Sequence, residues 1–371
     1  MLYTLKIRLH PSAEQRSAIL ETMERFNSAC NFISSFAFEH KIFSKIKLQK
    51  EIYYQVRDQF KLSAQMVVRA IGKVAESYMN KENRNTLHQF KPHGAIVYDQ
   101  RNLTVKTMDT VSFVTLQGRI TVAMTVCNYY AEIINNGNRV RGQADLCLVD
   151  NVFYLLLVVE SPDAPENIRK EFLGVDLGIV KIATTSDGKY FSGAAVKNIR
   201  KRNFKLRQKL QSKGTKSAKR LLKKRGKKER RFATDVNHCI SKKLVQVAKG
   251  TERGIALEDL TGIRKRTAER KTVNKTMRQE LSAWAFYQLR QFIRYKAKAA
   301  GVPVVLVDPR NTSRFCPICG NIDKANRKSQ AKFVCTKCGH TSNADINAAI
   351  NIANRGAAVI QPYAVAEEYA C

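Results

Sequence analysis

The sequence predicts a mixed α/β chain in two parts: an N-terminal β-barrel with a helical insert, then an α/β domain interrupted by a four-cysteine metal ribbon. Three observations predict it. Apolar periodicity switches from helical to alternating near residue 96, a hairpin follows the first strand after residue 171, and two Cys-x-x-Cys pairs stand fifteen residues apart.

Length and charge bound the function. The chain has 371 residues and is 44% hydrophobic, enough for two or three domains with cores of their own. Lys and Arg number 65 against 31 Asp and Glu, a formal charge of +34, which points to a polyanionic partner. Membrane surfaces are polyanions too, but the longest apolar run, Val152 to Val159, falls short of the ~20 residues that span a bilayer. Nucleic acid is favoured. The opening Met1-Leu-Tyr-Thr-Leu-Lys-Ile-Arg-Leu alternates apolar and basic residues, reads as a strand and lacks the features of a signal peptide. Nine cysteines, four of them in two close pairs, fit a reducing cytoplasm with one metal site. The scattered Cys30, Cys127, Cys147, Cys239 and Cys371 read as small buried hydrophobes.

Residues 1–12 and 96–165 form the predicted barrel, and 13–95 the helical insert. Ser12 is placed to cap a helix with Ile19, Leu20, Met23 and Phe26 on its apolar face. Further on, the stripe Met66, Val67, Ala70, Val74 turns Gln65, Arg69 and Lys73 outward, either as nucleic-acid contacts or as an ordinary solvated face. Short alternating runs at Val111, Arg119 and Val152 are separated by Gly, Asn and Asp, as barrel strands are.

The second half begins with the buried strand Phe172-Leu-Gly-Val-Asp-Leu-Gly-Ile. Ile182-Ala-Thr-Thr and Tyr190-Phe-Ser flank an Asp187-Gly188 turn as an antiparallel hairpin. Helices then cover about 195–249, Gly254-Ile-Ala-Leu-Glu-Asp-Leu is a short strand, about 276–300 a helix, and Val302-Pro-Val-Val-Leu-Val another strand. The segment from Asn343 onward is a short helix ended by Gly356. Three strands, helix, strand, helix, strand, helix is the order of the RNase H-like fold; a Rossmann fold would need helices between its first strands. The domain is expected over 171–310 and 344–356, with the metal ribbon at 311–343 and a tail at 357–371.

In that fold Asp176 on the first strand, Glu258 ending the fourth and Asp345 on the last helix converge. Three close carboxylates repel one another unless cations lie between them, and hard divalent ions prefer oxygen ligands. Two Mg²⁺ ions ~3.5–4 Å apart would activate a water and stabilise the leaving oxygen of a phosphodiester, giving a 5′-phosphate. Asp187, Asp259 and Asp308 compete for the role, but a turn accounts for Asp187 and a strand-ending Asp-Pro for Asp308.

Cys316-Pro-Ile-Cys319-Gly and Cys335-Thr-Lys-Cys338-Gly have the spacing of a structural Cys₄ zinc site, closed to catalysis by its fourth thiolate. His340 is nearby but not needed. Between Lys201 and Arg231 about half the residues are basic and Glu229 is the only acid. Lys201, Arg202, Lys205, Arg207, Lys209, Lys223, Lys224 and Arg225 are the candidates for phosphate-backbone contact, with a hairpin turn near Gly214.

Gly174-Val-Asp-Leu-Gly, Asp235-Val-Asn-His-Cys-Ile-Ser-Lys, Leu257-Glu-Asp-Leu, Trp284 with Tyr295-Lys-Ala, Asn311-Thr-Ser-Arg-Phe-Cys-Pro-Ile-Cys-Gly and Asn343-Ala-Asp-Ile-Asn-Ala-Ala-Ile-Asn-Ile-Ala-Asn-Arg-Gly together resemble the TnpB family. These are transposon-encoded RNA-guided DNA endonucleases related to type V CRISPR effectors. Tyr98-Asp-Gln-Arg-Asn also fits, whereas Cys239 stands where the family commonly has a basic residue. The resemblance implies a barrel "wedge" with a helical recognition insert, and a RuvC nuclease carrying the zinc ribbon. It further implies a guide RNA from the transposon end, a double-stranded DNA target with a short flanking motif, and no obligate protein partner. A transposase on the same fold, a non-cleaving RNA-guided repressor and a plain zinc-ribbon DNA-binding factor are the alternatives.

Overall fold

The computed structural model describes residues 2–135, 139–165, 169–262 and 285–360. The chain divides into two compact units, Met1–Pro162 and Asp163–Cys371. Trp284, Cys371, the first part of the expected helix at 276–300 and most of the tail lie outside the described residues.

In the first unit β1 (Leu2–His10) leads into α1 (Ala13–Glu39). Ser12 accepts the Gln15 amide, and the Gln15 side chain accepts the Ser12 amide, a reciprocal capping box that satisfies two otherwise orphaned donors. Helices α2 (Lys45–Phe60) and α3 (Ala64–Ser77) follow, then β2 (Ile96–Asp99), β3 (Leu103–Thr107), β4 (Thr110–Thr115), β5 (Gly118–Thr125), a short α4 (Asn128–Asn135), β6 (Arg139–Val149) and β7 (Val152–Glu160). These strands make one seven-stranded antiparallel sheet in the order β2-β6-β7-β1-β5-β4-β3. Its two ends approach each other, since Tyr98 on β2 donates to the Val114 carbonyl on β4 at 2.8 Å. Strands and helices share one core in which Ile7, Phe26, Ile71, Phe113 and Leu155 are fully buried.

The second unit is built on a five-stranded sheet in the order β10-β9-β8-β11-β12. Its strands are β8 (Phe172–Asp176), β9 (Lys181–Thr185), β10 (Tyr190–Ser192), β11 (Gly254–Glu258) and β12 (Val304–Val307). The hairpin strands are antiparallel to their neighbours, while β8, β11 and β12 run parallel. Helices α5 (Ala194–Lys213) and α6 (Lys216–Gly250) form a hairpin whose turn is Gly214 at φ 64°. Then come α7 (Phe286–Ala299) and α8 (Ala344–Ile360).

Strand alternation divides the labour of the sheet. Leu173, Val175, Ile255 and Leu257 face Ile240, Leu244, Leu289 and Ile293 of α6 and α7. Phe172 and Ala256 face Ile352 of α8 on the other side. Contrary to the sequence reading, α8 continues through Gly356 instead of ending there. A Cβ at Gly356 would sit 2.6 Å from the Ala256 Cβ, so this glycine is required for the helix to approach the sheet.

Candidate active site and zinc ribbon

Asp176 and Glu258 lie on the α8 face of the sheet because they share parity with Phe172 and Ala256. The parallel register pairs Leu257 with Val175, which brings the two carboxylates side by side at the C-terminal ends of β8 and β11. Asp345 joins them from the first turn of α8. That helix is held unusually close, since a Cβ at Gly174 would lie 1.9 Å from the Ala349 carbonyl oxygen and 2.6 Å from the Ala353 nitrogen. Asn343 caps the helix by accepting the amides of Asp345 and Ile346, so the Asp345 carboxylate is not needed as its own cap.

The electrostatics of the three acids are coupled. Burial first, then the charges of Glu258 and Asp345, raise the Asp176 carboxyl to about 7, against the pull of Arg327 and Lys181. Burial also raises Glu258, whose Oε1 accepts the Thr312 hydroxyl at 2.5 Å. Asp345 is paired with Lys181 at 3.0 Å and faces Arg327 of the ribbon at 3.9 Å. The carboxylates do not close to the spacing of a single-ion cage: among the described residues only the four cysteines have all their ligand atoms within 4.8 Å of one another. An acid held near neutrality by burial and by two acidic neighbours nevertheless suits a divalent cation, which would relieve their repulsion.

The competing acids are committed elsewhere. Asp187 takes both ends of the Arg253 guanidinium at 2.8 and 2.6 Å, Asp259 pairs with Arg290 at 2.8 Å, and Asp308 accepts the Arg310 amide at 2.9 Å.

The ribbon follows β12, with β13 (Lys332–Val334) paired to β14 (Thr341–Asn343). The Sγ atoms of Cys316 and Cys338 are 3.6 Å apart and those of Cys319 and Cys335 3.5 Å, near the ~3.8 Å edge of a tetrahedron with ~2.3 Å Zn–S bonds. Gly320 and Gly339 adopt φ 73° and 75° directly after the two pairs, as the knuckle turns require. The Cys338 amide, foremost, lowers the Cys335 thiol to about 6, while, against the His340 amide, hydrogen bonding with the neighbouring sulfurs raises that of Cys338. The donor set fits zinc.

Two features escaped the sequence reading. Asn347 and Asn351, one turn apart on α8, both donate to the Phe315 carbonyl, at 3.0 and 2.8 Å, and Asn351 also donates to that of Thr312 at 2.7 Å. They tie the start of the ribbon to the helix that carries Asp345. Polar residues at helical spacing on an otherwise apolar face were the available sign. Lys181 and Arg327 carried none, because only the fold brings them to Asp345.

The outward placement of Gln65, Arg69 and Lys73 is corrected. Gln65 and Arg69 bind the Asp99 carboxylate, Arg69 at 2.6 Å, and the Lys73 ammonium is half-buried against Asn27 Oδ1 at 2.8 Å and the Ala95 carbonyl at 2.6 Å. Burial lowers the Lys73 pKa. An acid on β2 and polar groups beside α3 draw these side chains inward, information that lies far from the helix in sequence. Lys201, Arg202, Lys205, Arg207, Lys209, Lys223, Lys224 and Arg225 are all exposed, and Arg207 also bridges α5 to α6 through Glu229 at 2.8 Å. Cys30 is buried, its thiol pushed up to about 12 by burial, but Cys127 and Cys239 are exposed, contrary to expectation. Among the described residues no helix is long and apolar enough to cross a membrane.

Residues 156–261 match the family model OrfB_IS605, described as "Probable transposase", and residues 286–352 match the Cas12f1-like TNB domain. The TnpB-like protein MJ0751 of Methanocaldococcus jannaschii is 31% identical over 246 residues, 63% of this chain and 85% of that protein. The CRISPR-associated endodeoxyribonuclease Cas12f1 of Sulfoacidibacillus thermotolerans is 43% identical over 123 residues, a third of this chain (33%) but only 27% of that protein. In structure, the chain aligns with Cas12f1 from a complex with sgRNA and target DNA at TM-score 0.66 and 14% identity, covering 96% of this chain and 99% of that one. That likeness is one of fold.

Proposed function

This chain belongs to the TnpB family, and on that premise we propose that it is an RNA-guided DNA endonuclease whose cutting centre is Asp176, Glu258 and Asp345. One observation carries the proposal: acids from β8, β11 and α8, far apart in sequence, share one face and one end of the sheet. Burial and the other two carboxylates hold Asp176 near neutrality. The strand order, with an antiparallel hairpin before two parallel strands, supports the RNase H-like, RuvC-type reading. The near meeting of β2 and β4 supports a barrel-like wedge in the first unit.

Asp176, Glu258 and Asp345 would hold two Mg²⁺ ions, which would supply an activated water and charge stabilisation for phosphodiester hydrolysis leaving a 5′-phosphate. The protein's own contribution is geometric. Gly174 lets α8 approach, Asn343 frees the Asp345 carboxylate, and Thr312 orients Glu258. Cys316, Cys319, Cys335 and Cys338 would hold one zinc ion, which would stiffen the segment tied to α8 by Asn347 and Asn351. The exposed cations of α5 and α6 suit the phosphate backbones of a transposon-end guide RNA and of target DNA, with a flanking motif read in the duplex. The protein would act in the cytoplasm, at the nucleoid.

Purification with the native transcript, sequencing of the bound RNA and challenge with a matching plasmid library in Mg²⁺ tests the whole reading. Cutting that requires the RNA is expected; cutting that is indifferent to it contradicts the guided mechanism. The transposase description of residues 156–261 supports strand transfer as a second reading, which joined rather than hydrolysed ends in the same assay would favour.

A further inference from the structure

Lys181 opens β9, and its ammonium lies 3.0 Å from Asp345 Oδ2, 3.4 Å from Asn343 Oδ1 and 5.1 Å from the centroid of the Tyr190 ring. Its side chain is only 24% exposed, and that of Asp345 20%, so water screens the pair weakly. A lysine ammonium is a compact point charge with no accepting atom. Where it sits against Asp345, a divalent ion reaching the same carboxylate oxygen meets a like charge instead of open solvent.

We propose that Lys181 is a resident counter-cation of Asp345 that competes with the divalent ion for this carboxylate and so sets the metal concentration at which the cutting centre fills. The Tyr190 ring, 61% exposed and already within cation–π range, gives the displaced ammonium a second seat. Arg327, at 3.9 Å from the other oxygen, stands beyond hydrogen-bond reach and obstructs less. The metal-free site is thereby kept from the full repulsion of three bare acids, while occupancy is delayed until the metal concentration suffices to move one lysine. This inference rests on the reading of Asp345 as a metal ligand.

Direct Mn²⁺ binding to the zinc-loaded full chain, followed by titration calorimetry and electron paramagnetic resonance, tests it without relying on cleavage. Lys181→Met and Lys181→Gln should each bind Mn²⁺ about tenfold more tightly, a change of ~1.4 kcal/mol. Lys181→Arg, which keeps the charge, should stay near wild type. Unchanged or weaker binding in both neutral variants, with thermal unfolding as in wild type, overturns the proposal; weaker binding would mean that Lys181 merely orients Asp345. Asp345→Asn separates the two levels. If wild type and Asp345→Asn bind Mn²⁺ equally, the metal-ligand reading itself fails, whereas a loss in Asp345→Asn without a gain in the Lys181 variants rejects only the competition.

Discussion

Replacing Gly174 by alanine should uncouple the fold of the second unit from its chemistry. The added Cβ would stand 1.9 Å from the Ala349 carbonyl oxygen, and real Cβ atoms essentially never come within 3.0 Å of another heavy atom, so α8 must retreat by at least 1.1 Å. The obstructing atom is backbone, and no side-chain rearrangement on α8 can absorb the clash. Asp345 stands one turn before Ala349 on the same rigid helix, while Asp176 is two residues from Gly174 on the same strand face. The retreat therefore enters the spacing of the carboxylates almost undiminished. Overpacking of this kind costs about 1–3 kcal/mol, which a domain of this size can survive. A displacement of ~1 Å at a reacting centre can cost on the order of 10²-fold in rate. Gly174→Ala should thus unfold cooperatively at a modestly lower temperature and cut a guide-matched plasmid roughly a hundredfold more slowly at saturating Mg²⁺. Cutting within a few-fold of wild type would refute the claim that close packing of α8 positions Asp345.

Three further outcomes follow from particular contacts. The intact chain should carry one zinc ion, and Cys338→Ser should lose it and lower cutting, because the ribbon holds the segment that bonds to α8; elemental analysis beside a cleavage assay checks both. Arg69→Ala should lower stability by about 1–3 kcal/mol and leave nucleic-acid affinity unchanged, since Arg69 serves a buried carboxylate. Burial raises the Asp99 carboxyl, yet its hydrogen bond from Arg69 and the Arg101 amide hold it below the ordinary value. The gap from wild type in urea melts should accordingly be full above about pH 4 and vanish as pH falls through the depressed value. Replacing Lys223, Lys224 and Arg225 with Gln should make the plot of log affinity against log salt shallower by roughly 2–3 units, at about 0.7–0.9 for each phosphate no longer neutralised; an unchanged slope in filter binding would remove these residues from the interface.

How much was legible in the sequence depended on how local the cause was. The hairpin at Asp187-Gly188, the Ser12 cap and the cysteine knuckles were readable because each is decided within a few residues, by turn chemistry, capping or metal spacing. The common face of Asp176 and Glu258 was also within reach, since strand parity and the order of elements suffice to place it. Gly356 misled because a glycine near the end of an apolar pattern looks the same whether it stops a helix or lets one approach a sheet; only Ala256 across the gap decides. Gln65, Arg69 and Lys73 misled for a related reason. Helical periodicity predicts which side of α3 is apolar, but the polar side is not always solvent when another element offers Asp99 or a backbone carbonyl there. The cations Lys181 and Arg327 at Asp345 were invisible, being brought to it by the hairpin and the ribbon, two segments far apart from each other in sequence.

The central claim is geometric, and anomalous scattering from Mn²⁺ bound to the guide-loaded protein tests it most directly. Two manganese ions ~3.5–4 Å apart, held by Asp176, Glu258 and Asp345, are the predicted result. Ions bound elsewhere, or a site left empty at millimolar Mn²⁺ with the three carboxylates still apart, would contradict it.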